Sequence, residues 1–191
     1  MSKSIFYFHG FMSSAESSKA QVFKNFIEQN YQNINLVIPN IYDKFTEAIP
    51  QLDEIISKDK NKTKYFMGSS LGGFFASHYA SLYKTKAVVI NPAINPSEGL
   101  KSYLGFNENY ANGNKFELTS NDIAAIKSIE LDKINNPRET LLLCESGDEV
   151  LNYINAIEFY KGSFVNINFG GDHSYSCFSD KLRIISEFLE L

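Results

Sequence analysis

Short apolar runs alternate along this chain with longer amphipathic stretches. Residues 4–8, 35–38, 64–67, 86–90, 140–144 and 164–169 are compact and rich in Ile, Val, Leu and Phe. Runs of that length with little polar alternation fit strands buried on both faces, as in a parallel sheet. Between them, residues 18–31 place Val22, Phe23, Phe26 and Ile27 on one side of a helix, and residues 45–57 do the same with Ile49, Leu52, Ile55 and Ile56. Pro50 falls inside the second stretch and predicts a kink or a later start. Further helices are expected at 71–83, 151–160 and 180–189. Strand-helix alternation predicts a doubly wound α/β fold, a mostly parallel sheet of about six strands with helices on both faces.

Residues 95–136 interrupt the rhythm with short helical pieces and a loop at 107–114, and carry Tyr103, Leu104, Phe106, Tyr110 and Phe116. Long excursions in compact domains are often functional. The expectation is a lid-like insertion that both supplies apolar substrate contacts and packs a satellite core of its own. No repeat or low-complexity tract occurs, and 191 residues suit one domain, 1–191.

A net charge of -4 and the lack of a basic cluster argue against a nucleic-acid surface. The amino terminus has no long apolar core or small-residue cleavage site, and no run reaches membrane-spanning length. Cys144 and Cys177 are far apart and outside any metal spacing, so they are expected as free thiols of a cytoplasmic protein. In that setting the sequon Asn61-Lys62-Thr63 is an accident of composition. A monomer is compatible with the chain.

The candidate chemistry centres on Gly68-Ser69-Ser70-Leu71-Gly72-Gly73, between an apolar run and an apolar helix. A serine with glycines two residues to either side reads as a nucleophile elbow, a turn so tight that flanking side chains would collide. By chance alone the pattern arises in about one chain in twenty of this length. A phosphate loop would need Gly-Lys-Ser/Thr, which is missing, as is a G-x-G-x-x-G fingerprint. A plain glycine-rich turn is the bland rival, so the partners decide.

A serine hydroxyl needs a base, a carboxylate behind the base, and donors for the developing oxyanion. His173, in Gly170-Gly171-Asp172-His173-Ser174, follows the last strand, where sites of doubly wound sheets assemble. Asp148, in Gly147-Asp148-Glu149, follows the strand at 140–144. The order Ser70, Asp148, His173 is that of α/β-hydrolases. Glu149 and Asp172 compete for the acid role: Glu149 is expected to start the next helix, and Asp172 to point away from its neighbour. His9, in His9-Gly10-Phe11, precedes the nucleophile and fits a loop shaping an oxyanion hole, whose donors would be the N–H groups of Phe11 and Leu71. His78, within the helix, reads as a packing residue.

These residues lie in a chain that resembles the YqiA-type esterases, a compact group of the α/β-hydrolase superfamily. The resemblance spans nearly the whole chain and rests on Tyr7-Phe8-His9-Gly10-Phe11, Gly68–Gly73, Val88-Val89-Ile90-Asn91-Pro92-Ala93, Tyr103-Leu104-Gly105, Gly147-Asp148-Glu149-Val150-Leu151 and Gly170-Gly171-Asp172-His173. It implies a short sheet with little cap, hydrolysing carboxylic esters or acyl-CoA thioesters without metal or organic cofactor. It implies Ser70 as nucleophile, Asp148 as acid and His173 as base. Asp172 stands where such loops often carry Asn, and a charge there bears on the pKa of His173. The rival classes are a non-catalytic binding or regulatory module, and another acyl or carbon-carbon hydrolase, such as a peptidase, on the same triad.

Overall fold

The computed structural model describes residues 3–191. Met1 and Ser2, the start of the amino-terminal segment discussed above, lie outside the described residues. The six expected strands are β1 (Lys3–Phe8), β2 (Ile34–Val37), β3 (Thr63–Ser69), β4 (Ala87–Ile90), β7 (Thr140–Glu145) and β8 (Phe164–Asn168). They form one parallel sheet in the order β2-β1-β3-β4-β7-β8. In the centre of the sheet the strands are buried on both faces, which is why they read as unbroken apolar runs; β2 and β8, at the edges, are partly exposed.

The period-two geometry of β1 sends alternate side chains into two cores. Ile5 and Tyr7 pack with Phe23 and Ile27 of α1 (Ser18–Asn30) and with Ile185 and Leu189 of α7 (Leu182–Leu189). Phe6 and Phe8 pack with Leu52 and Ile56 of α2 (Phe45–Lys58) and with Phe75 and Tyr79 of α3 (Leu71–Tyr83). Helix α6 (Tyr153–Phe159) adds Ala156 to that second core. From β1 the chain crosses to β2 on one side and to β3 on the other, so the order reverses between β1 and β3. The carboxyl ends of those two strands flank the switch point where doubly wound sheets bind ligands.

Helix α2 begins at Phe45, as the apolar pattern predicts, and carries Pro50 within it; the ring falls in the second turn, where it removes one intrahelical bond from an otherwise strongly amphipathic helix. Three other local expectations need correction. The helix expected from residue 151 begins at Tyr153, and the one expected from residue 180 begins at Leu182 after a 3₁₀ turn at Phe178–Lys181. Between β4 and β7, the short α4 (Ser97–Leu100) and α5 (Ser120–Ser128) flank an antiparallel hairpin, β5 (Gly105–Glu108) with β6 (Lys115–Leu118). Lys115-Phe116-Glu117-Leu118 alternates exposed and buried, the period of a strand and not of a helix.

The insertion is fastened to the sheet domain by buried polar bonds. Asp122 caps α5 through Thr119 and accepts the N–H of Thr46 at 3.0 Å and its hydroxyl at 2.8 Å. Asp43 accepts the side-chain amide of Asn109 at 2.5 Å. Among the described residues no helix is long and apolar enough to cross a membrane.

Candidate active site

Ser70 sits between β3 and α3 with φ 57° and ψ -123°, a region that side-chain-bearing residues rarely occupy. Its N–H donates to the Ile90 carbonyl at 2.9 Å, and its own carbonyl accepts the N–H groups of Gly73 at 2.9 Å and Ala93 at 3.0 Å. The turn is held from β4 and from α3 at once. Its tightness explains the two glycines: a Cβ on Gly68 would lie 2.1 Å from the Gly72 carbonyl oxygen, and one on Gly72 would lie 2.0 Å from that of Phe8. Alanine at either position would collide with backbone.

The structure brings the three separated residues together. His173 Nε2 is 3.1 Å from Ser70 Oγ, and His173 Nδ1 is 2.8 Å from Asp148 Oδ2. The Asp148 carboxylate is buried, and its Oδ1 accepts the N–H groups of Val150 at 2.9 Å and Leu151 at 2.8 Å. These donors fix which oxygen faces the imidazole.

His9 is buried, and its role follows from two contacts. The Ile41 N–H donates to Nε2 at 3.0 Å, so that nitrogen bears no proton; Nδ1 carries it and donates to the Gly10 carbonyl at 2.9 Å. Burial holds the imidazole below its usual pKa, against smaller opposing effects of that bond and of Asp43. In a trans peptide the carbonyl and the following N–H point in opposite directions. Drawing the Gly10 oxygen towards His9 therefore turns the Phe11 N–H the other way. Gly10 lies against the nucleophile, since a Cβ built on it would be 3.5 Å from Ser70 Cβ. Among the described residues neither the Phe11 N–H nor the Leu71 N–H has a protein acceptor. His78 is remote: its Nδ1 bonds the Ile129 carbonyl at 3.1 Å, which agrees with a packing role.

The two rival acids do other work. Glu149 does not start a helix; its Oε2 accepts the backbone N–H of His173 at 3.0 Å. Asp172 turns its carboxylate onto Ser174, accepting that hydroxyl and, at 2.8 Å, that N–H. The bond from the Ser174 hydroxyl is the main reason its carboxyl lies below the usual range.

Two further residues position the histidine loop, and neither stood out in the sequence as a site residue. Glu145, buried at the end of β7, accepts the Asp172 N–H at 2.7 Å and the Asn168 amide at 3.2 Å. Asn91, buried after β4, donates to the carbonyls of Asp172 and His173 at 3.1 and 3.4 Å. The signal available was an acidic residue closing an apolar strand and an Asn before Pro at the end of another.

A cleft of about 310 Å³ opens on Ser70 and His173. Phe11, Tyr103, Tyr110 and Val150 contribute apolar walls, and Ser13, Ser17 and Lys19 polar ones. The insertion is thus a mixture: Tyr103 and Tyr110 reach the cleft, Phe116 is buried in the core, and Leu104 and Phe106 face solvent. A larger groove of about 660 Å³ between the hairpin and residues 40–47 contains none of the expected site residues. Among the described residues no group of three or more His, Cys, Asp or Glu is placed to hold a metal ion.

Sheet order, elbow and strand-end loops together define an α/β-hydrolase fold. Est1E from Butyrivibrio proteoclasticus superposes with a TM-score of 0.75 at 16% identity, over 99% of this chain and 87% of its own. Mouse alpha/beta hydrolase domain-containing protein 10 gives 0.76 at 14% identity, over 98% and 89%. The profile of the Uncharacterised protein family (UPF0227) matches residues 4–190, and the chain belongs to that family, the YqiA-type group that its motifs resemble. UPF0227 proteins of Pectobacterium atrosepticum and of Pectobacterium carotovorum subsp. carotovorum are each 25% identical over 107 residues, 56% of this chain. The chain aligns with 59% of the length of these curated relatives.

Proposed function

We propose that this protein is a serine esterase acting on small carboxylic esters, with acyl-CoA thioesters as further substrates. The observation that carries it is the unbroken line Asp148 Oδ2, His173 Nδ1, His173 Nε2, Ser70 Oγ, with separations of 2.8 and 3.1 Å, at the mouth of a cleft. His173 takes the Ser70 proton as Oγ attacks the acyl carbonyl. The N–H groups of Phe11 and Leu71 receive the oxyanion, and collapse of the tetrahedral intermediate expels the alcohol or thiol, protonated by His173. Water activated by the same imidazole then releases the acid from the acyl-enzyme. Asp148 holds the tautomer with its proton on Nδ1 and stabilises the imidazolium. No step calls for a metal or organic cofactor. Est1E has been seen with ferulic acid bound, and a structural neighbour from Rhodothermus marinus is named an esterase domain; both are in keeping with ester chemistry on this fold.

One domain, 1–191, carries the activity, with 95–136 as a cap whose Tyr103 and Tyr110 touch the substrate. Two free cysteines, burial pushing Cys144 up to about 12 and Cys177 to about 11, suit a reducing cytoplasm. The test is Ser70→Ala, which should lose p-nitrophenyl acetate hydrolysis by a factor on the order of a million and lose labelling by a fluorophosphonate probe. Labelling that persists in the variant refutes Ser70 as nucleophile. An unlabelled, inactive wild type would favour a binding module.

A further inference from the structure

We propose that the cleft beside Ser70 contains an anion-binding subsite formed by Lys19, the start of α1 and the Tyr7 hydroxyl, so that the preferred ester carries a carboxylate or phosphate on one arm. The proposal rests on the esterase reading and names the substrate class of that same site.

Three features of the residues that line the cleft support this. Lys19 is the one lysine or arginine among the cleft-lining residues, and among the described residues no carboxylate lines the cleft. Its ammonium donates to the Ser174 carbonyl at 2.6 Å, which anchors it next to His173 and leaves two of its three hydrogens for other acceptors. Burial draws that ammonium below its usual pKa, opposed by the charges of Asp172 and Glu145. An anion in the cleft would oppose it further.

The second feature is the helix itself. Helix α1 has 13 residues, starts after Ser17 on the cleft wall, and has neither a side-chain cap bond nor an acidic residue in its first turn. Its first N–H groups therefore have no intrahelical or side-chain partner, and its dipole favours negative charge there. The third feature is an orphan. Tyr7 lines the same cleft, is wholly buried, and its hydroxyl has no hydrogen-bond partner. Buried hydroxyls are paired in the large majority of native sites, so a lone buried hydroxyl on a cleft-lining residue points to an acceptor brought by the ligand. A neutral alkyl arm would leave Lys19, the helix start and Tyr7 without that acceptor. The apolar side of the cleft, Phe11, Tyr103 and Tyr110, would take the other arm.

Two matched ester pairs test this. p-Nitrophenyl hydrogen adipate against methyl p-nitrophenyl adipate places the charge on the acyl arm. 4-Acetoxybenzoate against its methyl ester places it on the alcohol arm. Corrected for spontaneous hydrolysis, wild-type kcat/KM should favour the anionic member of one pair by about tenfold or more. Lys19→Met and Tyr7→Phe should bring that ratio towards one, and Lys19→Arg should keep it. Substituting a phosphonate for the carboxylate in the responsive pair separates the two anion types. A purely structural role for Lys19 would lower both members equally and leave the ratio intact, which overturns the subsite. A ratio near one in both pairs, from an enzyme that still labels at Ser70, overturns the subsite while the esterase reading stands. No turnover and no labelling overturns both.

Discussion

Asn91 Oδ1 accepts the backbone N–H of Glu145 at 2.9 Å, so a side chain after β4 is bonded to the end of β7. The same amide donates through Nδ2 to the carbonyls of Asp172 and His173, at 3.1 and 3.4 Å. Asn91 thus joins the strand end that precedes Asp148 to the loop that carries His173. Cutting this side chain back to a methyl group strands a buried N–H and frees the loop. Asn91→Ala should cost about 1–3 kcal/mol of stability by urea unfolding. It should also lower kcat about tenfold to a hundredfold, since small displacements of a catalytic base are costly. Wild-type kcat and unfolding midpoint in the variant would dismiss this positioning role.

Two shielded histidines, His9 buried and His78 half-buried, predict an acid-sensitive fold. Burial lowers the pKa of both His9 and His78 in the native state. Unfolding releases them to values of about 6.5. Above that pH both states are neutral and the two residues contribute no pH dependence. As pH falls below about 6.5 the unfolded chain takes up protons that the native protein refuses, and stability drops by up to about 1.4 kcal/mol per pH unit for each histidine. The carboxylates act in a separate window. Burial pushes Asp122 up, but the bonds from Thr119 and Thr46 more than offset it, and the net shift is downward. Its contribution is present above about pH 4 and is lost as pH falls through its lower native value. Urea midpoints at pH 7.5, 6.5 and 5.5 read the histidines alone. His78→Gln, which can still donate to the Ile129 carbonyl, should flatten that slope; an unchanged slope would remove His78 from the account.

Much of this architecture was legible in the sequence because it depends on local pattern. Strands buried on both faces leave apolar runs, and Ser70, Asp148 and His173 each follow such a run, so their positions at one sheet edge could be anticipated. The glycines at 68 and 72 carried the steric signature of the turn. What escaped depends on distances between separate strand ends. Asn91 and Glu145 meet only because β4 and β7 are neighbours, and no spacing in the chain announces that. Glu149 looked like a helix-starting acid, yet its helix begins at Tyr153 and its carboxylate turns to the His173 N–H. The β5–β6 hairpin leaves little trace for a different reason: its alternating strand is four residues long, too brief to outweigh the helical pieces on either side.

The conformation of Ser70 separates strain from chemistry. A residue held at φ 57° and ψ -123° stores about 1–3 kcal/mol, provided it carries a Cβ. Glycine adopts that region freely, at a cost of about 0.5–1 kcal/mol in chain entropy. Ser70→Ala keeps the strained Cβ and forfeits the contact between Oγ and His173 Nε2 at 3.1 Å. Ser70→Gly forfeits the same contact but releases the strain. Both variants should be inactive, so activity cannot distinguish them. Stability can: the glycine variant should exceed the alanine variant by about 1 kcal/mol or more, and match or surpass wild type, by urea unfolding at pH 7.5. Equal midpoints for the two variants would limit the stored strain to about 0.5–1 kcal/mol, the entropy cost of the glycine, and refute a larger value. The bonds of the turn to Ile90, Gly73 and Ala93 would then have little strain to offset.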